Sequence, residues 1–213
     1  MTLGATAVGV HSDFYPHARY LAEHELIVPQ RHMHEYRLHN DVLRQESAAL
    51  AYRLKWFEGV DDFECQNYFS DVSAYNPNGW VCQVAEVLVD EWLVYNGSRF
   101  RPESTTTRSE ALAMMLASAC VDHYDEEDDG FSDDYFFAPW EEQIVRAGHR
   151  HGFTSHLETF RPHDRISRGE FFVFGKRAHE LILDGSCEPG YWYEEEEEEE
   201  EDQEITSGEA GLE

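Results

Sequence analysis

The chain has 213 residues, of which 41% are apolar and 14% aromatic, a content typical of a folded protein with a substantial core. Its formal net charge of -28 argues against nucleic acid or anionic lipid as a ligand. No apolar stretch approaches the roughly 18 residues that span a bilayer, so membrane insertion is not expected, and residues 1–10 lack the basic start and long apolar region of a secretion signal.

The first elements in chain order are an imperfect copy of a block that recurs twice later, and we assign this copy to residues 11–58. Tyr36-Arg37-Leu38 precedes Arg44-Gln45-Glu46, which starts a predicted helix. Leu43 occupies the place of a capping residue, at a cost of about 1 kcal/mol. No tryptophan follows Ser12-Asp13, the counterpart of the entry segment in the later copies. This unit is therefore degenerate, although its helix keeps an apolar stripe formed by Leu50, Leu54 and Phe57.

The second copy, residues 65–121, has every element of the block. Phe69-Ser70-Asp71 leads to Trp80, where a first helix is predicted from the spacing of apolar residues. Phe100-Arg101-Pro102 predicts a short extended piece, because proline excludes helix and restricts the residue before it. Thr107 and Glu110 have the spacing of a capping box that opens the second helix. The inward positions of that helix are Ala111, Leu112, Met115, Leu116 and Ala119.

The third copy, residues 130–184, keeps the same order, and the interval from Trp140 to Arg168 equals that from Trp80 to Arg108. Each unit therefore predicts helix, loop, helix. A helix pair with one apolar stripe cannot bury it alone, so we expect the three units to close on one another. Residues 194–213 carry acidic side chains without basic ones and are predicted to be a disordered tail. The motifs of the third copy are Phe131-Ser132-Asp133, Trp140, Gly152-Phe153, Phe160-Arg161-Pro162 and Ser167-Arg168-Gly169-Glu170.

Together these motifs resemble S-layer homology units, whose pattern is Phe-x-Asp-Val, a tryptophan that starts the first helix, a Gly-Ile turn, Phe-x-Pro, and Thr-Arg-Ala-Glu at the second helix. The resemblance covers about residues 11–184. It implies a mainly α fold of three helix-loop-helix repeats packed as a pseudo-trimeric, three-lobed array. Each unit would give one helix to a central bundle while the other packs outside. Trp92 departs from the pattern, since the family usually has glycine there.

The resemblance also implies a function, namely non-covalent and non-catalytic anchoring to a secondary cell-wall polysaccharide, often bearing pyruvate ketals, at a cell surface or after secretion. Grooves between adjacent units would hold the glycan, and the arginine of each Thr-Arg-Ala-Glu motif would meet its carboxylate. By position that contact falls on Arg44, Arg108 and Arg168. A planar guanidinium at a helix N-terminus suits a carboxylate. The alternative is that these arginines only pair with nearby acidic residues.

The remaining motif residues also have two interpretations each. Trp80 and Trp140 could stack on sugar faces, but the apolar stripe favours packing in the core. The polar motif residues are expected to serve caps and turns rather than catalysis. These are Asp71, Asp133, Thr107, Glu110, Ser167 and Glu170.

The sequence predicts neither an enzyme nor a cofactor, because it has no nucleophile motif, phosphate loop or acid/base pair. Two His-x-His pairs lack a third ligand, so no metal site is predicted. The cysteines leave two states open, disulfides or buried thiols, and a bridge between the first two would staple the entry segment of the second unit. They are Cys65, Cys82, Cys120 and Cys187.

A second functional hypothesis keeps the fold and discards the glycan. In it the chain is an intracellular acidic interaction protein that occupies a basic protein partner, for instance by mimicking nucleic acid. The net charge of -28 and the lack of an export signal favour this hypothesis. The arginine at each helix start favours the anchor.

Overall fold

A computed structural model describes residues 13–55, 64–75, 79–90, 94, 97–121, 137–154 and 159–187. This part of the chain forms six α-helices and a short 3-10 helix, Met33–Tyr36, joined by loops with isolated β-bridges. The predicted mainly helical fold is confirmed. Trp92, Asp133 and the predicted tail, residues 194–213, lie outside the described residues. The helices are α1 (Tyr15–Glu23), α2 (Arg44–Lys55), α3 (Gly79–Asp90), α4 (Arg108–Ser118), α5 (Pro139–Arg150) and α6 (Arg168–Leu183).

The three helices that begin at the repeated arginines pack against one another. Helices α2, α4 and α6 are in mutual contact, and each starts at the residue where the sequence predicts it. The other helices lie against them in a fixed order, with α1 on α6, α3 on α2 and α5 on α4. Each first helix therefore packs on the second helix of a different unit, and burial of every apolar stripe requires contacts between units.

A ring of backbone hydrogen bonds joins the loops that precede α2, α4 and α6. The amide of Val42 donates to the carbonyl of Ile166 (3.1 Å), that of Ile166 to Thr106 (3.2 Å), and that of Thr106 to Val42 (2.9 Å). All three residues are buried. Because buried amides and carbonyls are costly without partners, this ring satisfies groups that no single unit could satisfy by itself.

The chain turns sharply before all three of these loops, and in the first unit the turn lies at Arg37, with a φ of 50°. The sequence predicts an extended segment before Pro102 and before Pro162. This prediction is wrong at the residue just before each proline, because Arg101 and Arg161 adopt the left-handed conformation, with φ of 59° and 58°. For a residue with a Cβ this conformation costs about 1–2 kcal/mol. In the second unit Asp71 offsets the cost, since its carboxylate accepts hydrogen bonds from the amides of Phe100 and Arg101, both at 2.8 Å.

Two glycines allow the helices to approach closely. A Cβ at Gly175 of α6 would lie 2.6 Å from the Cδ2 atom of Leu50 on α2, and one at Gly148 of α5 would lie equally close to Leu112 on α4. Both leucines are almost fully buried. Larger side chains at these glycines would push apart helices that belong to different units.

Both cysteine pairs form disulfides, which answers the question that the sequence leaves open. Cys65–Cys82 joins the entry segment of the second unit to α3, with a Cα–Cα distance of 5.7 Å. Cys120–Cys187 joins the residues that follow α4 to those that follow α6, at 5.3 Å. The second bridge therefore links two helices of the central group.

A cluster of imidazoles lies where α1 packs on α6. His179 is buried on α6, and its Nδ1 atom is 3.0 Å from the hydroxyl of Tyr20 on α1. Its ring also lies 4.8 Å, centroid to centroid, from that of His24. Burial lowers the pKa of His179 and the charge of His24 adds to this, while Glu180 opposes both. Burial also lowers the pKa of His17, whose Nδ1 atom is buried and has no hydrogen-bond partner among the residues that the structure describes.

The fold is expected to lose stability as the pH falls below the ordinary histidine pKa of about 6.5. His17 and His179 have lowered pKa values in the folded chain. At pH values between the folded-state and unfolded-state pKa of these histidines, the unfolded chain therefore binds more protons than the folded chain. Their contribution is complete above pH 6.5 or so and is lost as the pH falls through the folded-state pKa. Thermal melts at pH 7 and pH 5 measure the effect. The H179N variant should show a smaller difference between the two values, and an unchanged difference would contradict the assignment.

Candidate functional site

The helix starts carry the capping boxes that the sequence predicts. In α4 the hydroxyl of Thr107 accepts from the amide of Glu110 (3.2 Å), and the Glu110 carboxylate accepts from the amide of Thr107 (2.9 Å). Ser167 and Glu170 make the same exchange at α6, at 3.3 and 3.0 Å. In the degenerate first unit Leu43 has no hydroxyl, yet its amide still donates to Glu46 at 3.0 Å. Half of the capping box therefore survives there.

The capping glutamates have a second role that sequence analysis missed. Each uses Oε2 for its own cap and Oε1 for the arginine of another unit, as Glu110 does for Arg44 (3.0 Å) and Glu170 for Arg108 (2.6 Å). Glu46 pairs in the same way with Arg168. The three ion pairs form a closed cycle, which we call the arginine–glutamate ring. These arginines are thus paired with acidic residues, as the alternative interpretation expects.

The arginines of this ring also contact the unit that supplies the glutamate. Arg108 donates from Nε to the carbonyl of Phe160 at 2.9 Å, and its guanidinium carbon lies 5.1 Å from the centroid of the Phe160 ring. The guanidinium carbon of Arg44 lies 5.7 Å from the centroid of the Phe100 ring, but in the described part of the chain its buried Nε atom has no hydrogen-bond partner. Arg108, with a side chain 12% exposed, is therefore held more completely than Arg44, at 25%.

The electrostatics of the Arg108 pair follow from its burial. Burial acts to raise the pKa of Glu170, but hydrogen bonds from the hydroxyl and amide of Ser167, with the charge of Arg108, outweigh it and lower the pKa. Burial also disfavours the charged form of Arg108 and so lowers its pKa, while the charge of Glu170 acts in the opposite direction. Both groups are charged at neutral pH, and the pair forms a partly desolvated contact between the second and third units.

The two repeated tryptophans lie at the surface, so the expectation that they pack in the core is wrong. Trp80 is 44% exposed and Trp140 is 48% exposed. Each stands one residue after the start of its helix, and in α3 the buried stripe begins at the next residue, Val81, and continues through Ala85 and Leu88. Helical spacing identifies the stripe but does not decide whether its first member reaches the neighbouring helix.

One of these tryptophans lines a cavity at the junction of the units. The cavity has a volume of about 290 Å³ and lies between α2, α3, the 3-10 helix and the start of α6. Trp80 and Arg168 are the predicted ligand residues in its wall, whereas Trp140, Arg44 and Arg108 lie elsewhere. Its other polar and aromatic wall residues, none of which sequence analysis selects as a ligand residue, are Gln30, Glu35, Tyr36, Glu46, Arg53, Phe171 and Phe172.

A second polar cluster lies beside α3. Glu86 is fully buried, and its carboxylate accepts from the amides of Gln66 (2.5 Å) and Tyr68 (2.6 Å). With Cys65 and Cys82 it forms a group of three residues whose side chains can bind metals, but the two sulfurs are joined to each other in a disulfide. The cluster therefore fixes the entry segment to α3.

Within the described ranges the longest helix, α6, has 16 residues, and none of the helices there has the length and apolar character that crossing a bilayer requires. Comparison of the sequence with protein-family models and with curated proteins gives no match.

Proposed function

We propose that the chain is a three-unit array of the S-layer homology type, closed into a three-lobed pseudo-trimer, that anchors non-catalytically to an acidic cell-wall polysaccharide at a cell surface. The ring of backbone hydrogen bonds and the arginine–glutamate ring support the closed three-unit arrangement, because in both each unit binds the other two. The helix order, in which each first helix packs on a different unit, supports it as well.

The observation that carries the proposal is the cavity at the junction of the units. An exposed indole, Trp80, offers a flat apolar face of the kind on which the apolar side of a sugar ring can stack. Arginine guanidinium groups in the same wall can donate paired hydrogen bonds to a carboxylate. The volume of about 290 Å³ is near the lower end of small-molecule sites, so it suits a short stretch of glycan.

The disulfides and the charge bear on where this binding takes place. Disulfides persist in oxidising surroundings and are rare in the cytosol, so Cys65–Cys82 and Cys120–Cys187 support an exported location. The net charge of -28 repels an acidic glycan at long range. Because salt screens that repulsion, association should become faster as ionic strength rises.

The rival hypothesis of an acidic interaction protein is favoured by the same net charge. A pull-down of the chain against purified cell-wall polysaccharide and against cell lysate separates the two. Capture of a basic protein, with no retention on the polysaccharide, would favour the rival.

Replacing Trp80 by alanine is expected to weaken polysaccharide binding by about 1–2 kcal/mol, because a stacking face in the cavity is lost. Isothermal titration calorimetry against purified cell-wall polysaccharide measures the change. The matched control is Trp140→Ala, which removes an equally exposed tryptophan from the corresponding helix position outside this cavity. Equal losses for the two variants would place the binding elsewhere, and no binding by the unaltered chain would refute the proposed function.

A further inference from the structure

The arginine that the repeat brings to this cavity is already occupied. Arg168 pairs with Glu46 and also donates from Nη1 to the carbonyl of Tyr36 at 3.4 Å. A ligand carboxylate could bind this guanidinium only by displacing Glu46, which would leave that glutamate, in the first turn of α2, without its ionic partner. Exchange of one carboxylate for another offers little net gain.

A second arginine in the cavity wall has no acidic partner among the described residues. Arg53 lies on the exposed side of α2, and its guanidinium donates from Nη1 to the carbonyl of Leu26 at 3.3 Å. In the part of the chain that the structure describes, no carboxylate lies within ion-pair distance of it. Its other N–H groups are therefore available to an anion that enters the cavity.

Glu35 is an acidic residue that lines the same cavity, but backbone amides already hold its carboxylate. Its Oε2 atom accepts from the amides of Arg31 (3.0 Å) and His32 (3.2 Å) in the loop before the 3-10 helix. Such hydrogen bonds keep this carboxylate turned to its own loop. A ligand would meet the guanidinium of Arg53, the exposed indole of Trp80 and the fixed carboxylate of Glu35, which suits a sugar that carries both a carboxylate and free hydroxyls.

The positions that correspond to Arg53 in the other two units differ from it. The repeat places Ala117 there in α4 and Arg177 in α6. Arg177 donates from Nε to the carbonyl of His151 (2.5 Å) and lies 3.9 Å from the carboxylate of Glu180. The second unit thus has no cation at this position, and in the third unit Glu180 neutralises the cation. Of the three junctions, the one beside α2 alone keeps this arginine free of an acidic partner among the described residues.

We propose that Arg53 is the residue that recognises the carboxylate of the ligand, and that the three arginines of the arginine–glutamate ring hold the units together instead. This inference rests on the proposed function and narrows it to one site per chain, at the Trp80 cavity. Arg53 binds the carboxylate through charge-assisted hydrogen bonds, and Trp80 stacks on the sugar that carries it.

The test is calorimetry of the full chain with two probes, a methyl hexoside carrying a pyruvate ketal and the same methyl hexoside without it. The Arg53→Gln variant should bind the acidic probe about 10- to 100-fold more weakly, as expected for the loss of charge-assisted hydrogen bonds, with binding of the neutral probe unchanged. Arg53→Lys should recover part of the preference, since an ammonium restores the charge but not the fork. The unaltered chain should bind a single equivalent of the acidic probe.

Arg177→Gln is the matched control, because it removes the counterpart of Arg53 from α6 and should leave both affinities unchanged. A chain that binds neither probe overturns the proposed function together with this inference. A chain that prefers the acidic probe, and keeps that preference in Arg53→Gln, overturns only the inference. Equal binding of the two probes by the unaltered chain also overturns it, as does a stoichiometry of several acidic probes per chain.

Discussion

Replacing Cys120 and Cys187 together by alanine is expected to lower the free energy of unfolding by about 4 kcal/mol, the loop-entropy value for a bridge that closes a long segment. The two cysteines are 67 residues apart and join the ends of α4 and α6. Without the bridge the unfolded chain gains conformational freedom, whereas the packing of the central helices stays the same. Urea unfolding of the oxidised variant and of the unaltered chain, each fitted with its own m-value, measures the loss.

The other disulfide provides the comparison. Cys65 and Cys82 are 17 residues apart, so their replacement is expected to cost about 3 kcal/mol by the same entropy relation. Addition of a reducing agent to the unaltered chain should remove both contributions together. If removal of Cys120–Cys187 left the urea midpoint unchanged, other contacts would have to hold together the C-terminal ends of α4 and α6.

Replacing Arg108 by alanine is expected to lower the free energy of unfolding by about 2–3 kcal/mol, because Glu170 keeps its charge and loses its partner in a partly buried place. Arg108 is the least exposed arginine of the arginine–glutamate ring, and its hydrogen bond to Phe160 is lost as well. A double-mutant cycle with Glu170→Gln isolates the coupling between the two side chains. Equilibrium unfolding in urea gives the four values.

Arg165→Ala is the control for that cycle. Arg165 pairs with Asp41 between the loops that precede α6 and α2, but its side chain is 67% exposed, so its loss is expected to stay within about 0.5 kcal/mol. Zero coupling between Arg108 and Glu170 would show that the arginine–glutamate ring does not stabilise the array.

The elements of this fold that local sequence determines could be predicted. Helices α2, α4 and α6 begin at Arg44, Arg108 and Arg168 because hydroxyl and glutamate side chains at fixed spacing satisfy the free amides of a first turn. A different local signal, glycine after a helix, predicts the turn at Gly152 and Phe153, and in the structure Gly152 has a φ of 75° and follows the end of α5.

The partners across units could not be predicted, because no local signal encodes them. One carboxylate oxygen of Glu110 serves the cap of its own helix, and the other binds Arg44, which is more than sixty residues away in the sequence. Asp71 similarly holds two amides of a turn that lies far along the chain. The sequence does not single out Arg53, because α4 has no arginine at the corresponding position. Its surroundings depend on the loop that contains Leu26, and no local pattern places that loop next to α2.

The contact between α1 and α6 has a consequence for how such a chain can grow. In an open solenoid a further repeat can be appended at either end, because the terminal surface resembles every internal one. Here the first unit packs on the third, so the surface that a fourth repeat would need is already covered. Duplication of one unit would have to break the cycle of backbone hydrogen bonds that passes through Val42, Thr106 and Ile166. Closure of the described helices therefore replaces the exposed terminal surfaces of an open solenoid with contacts between units.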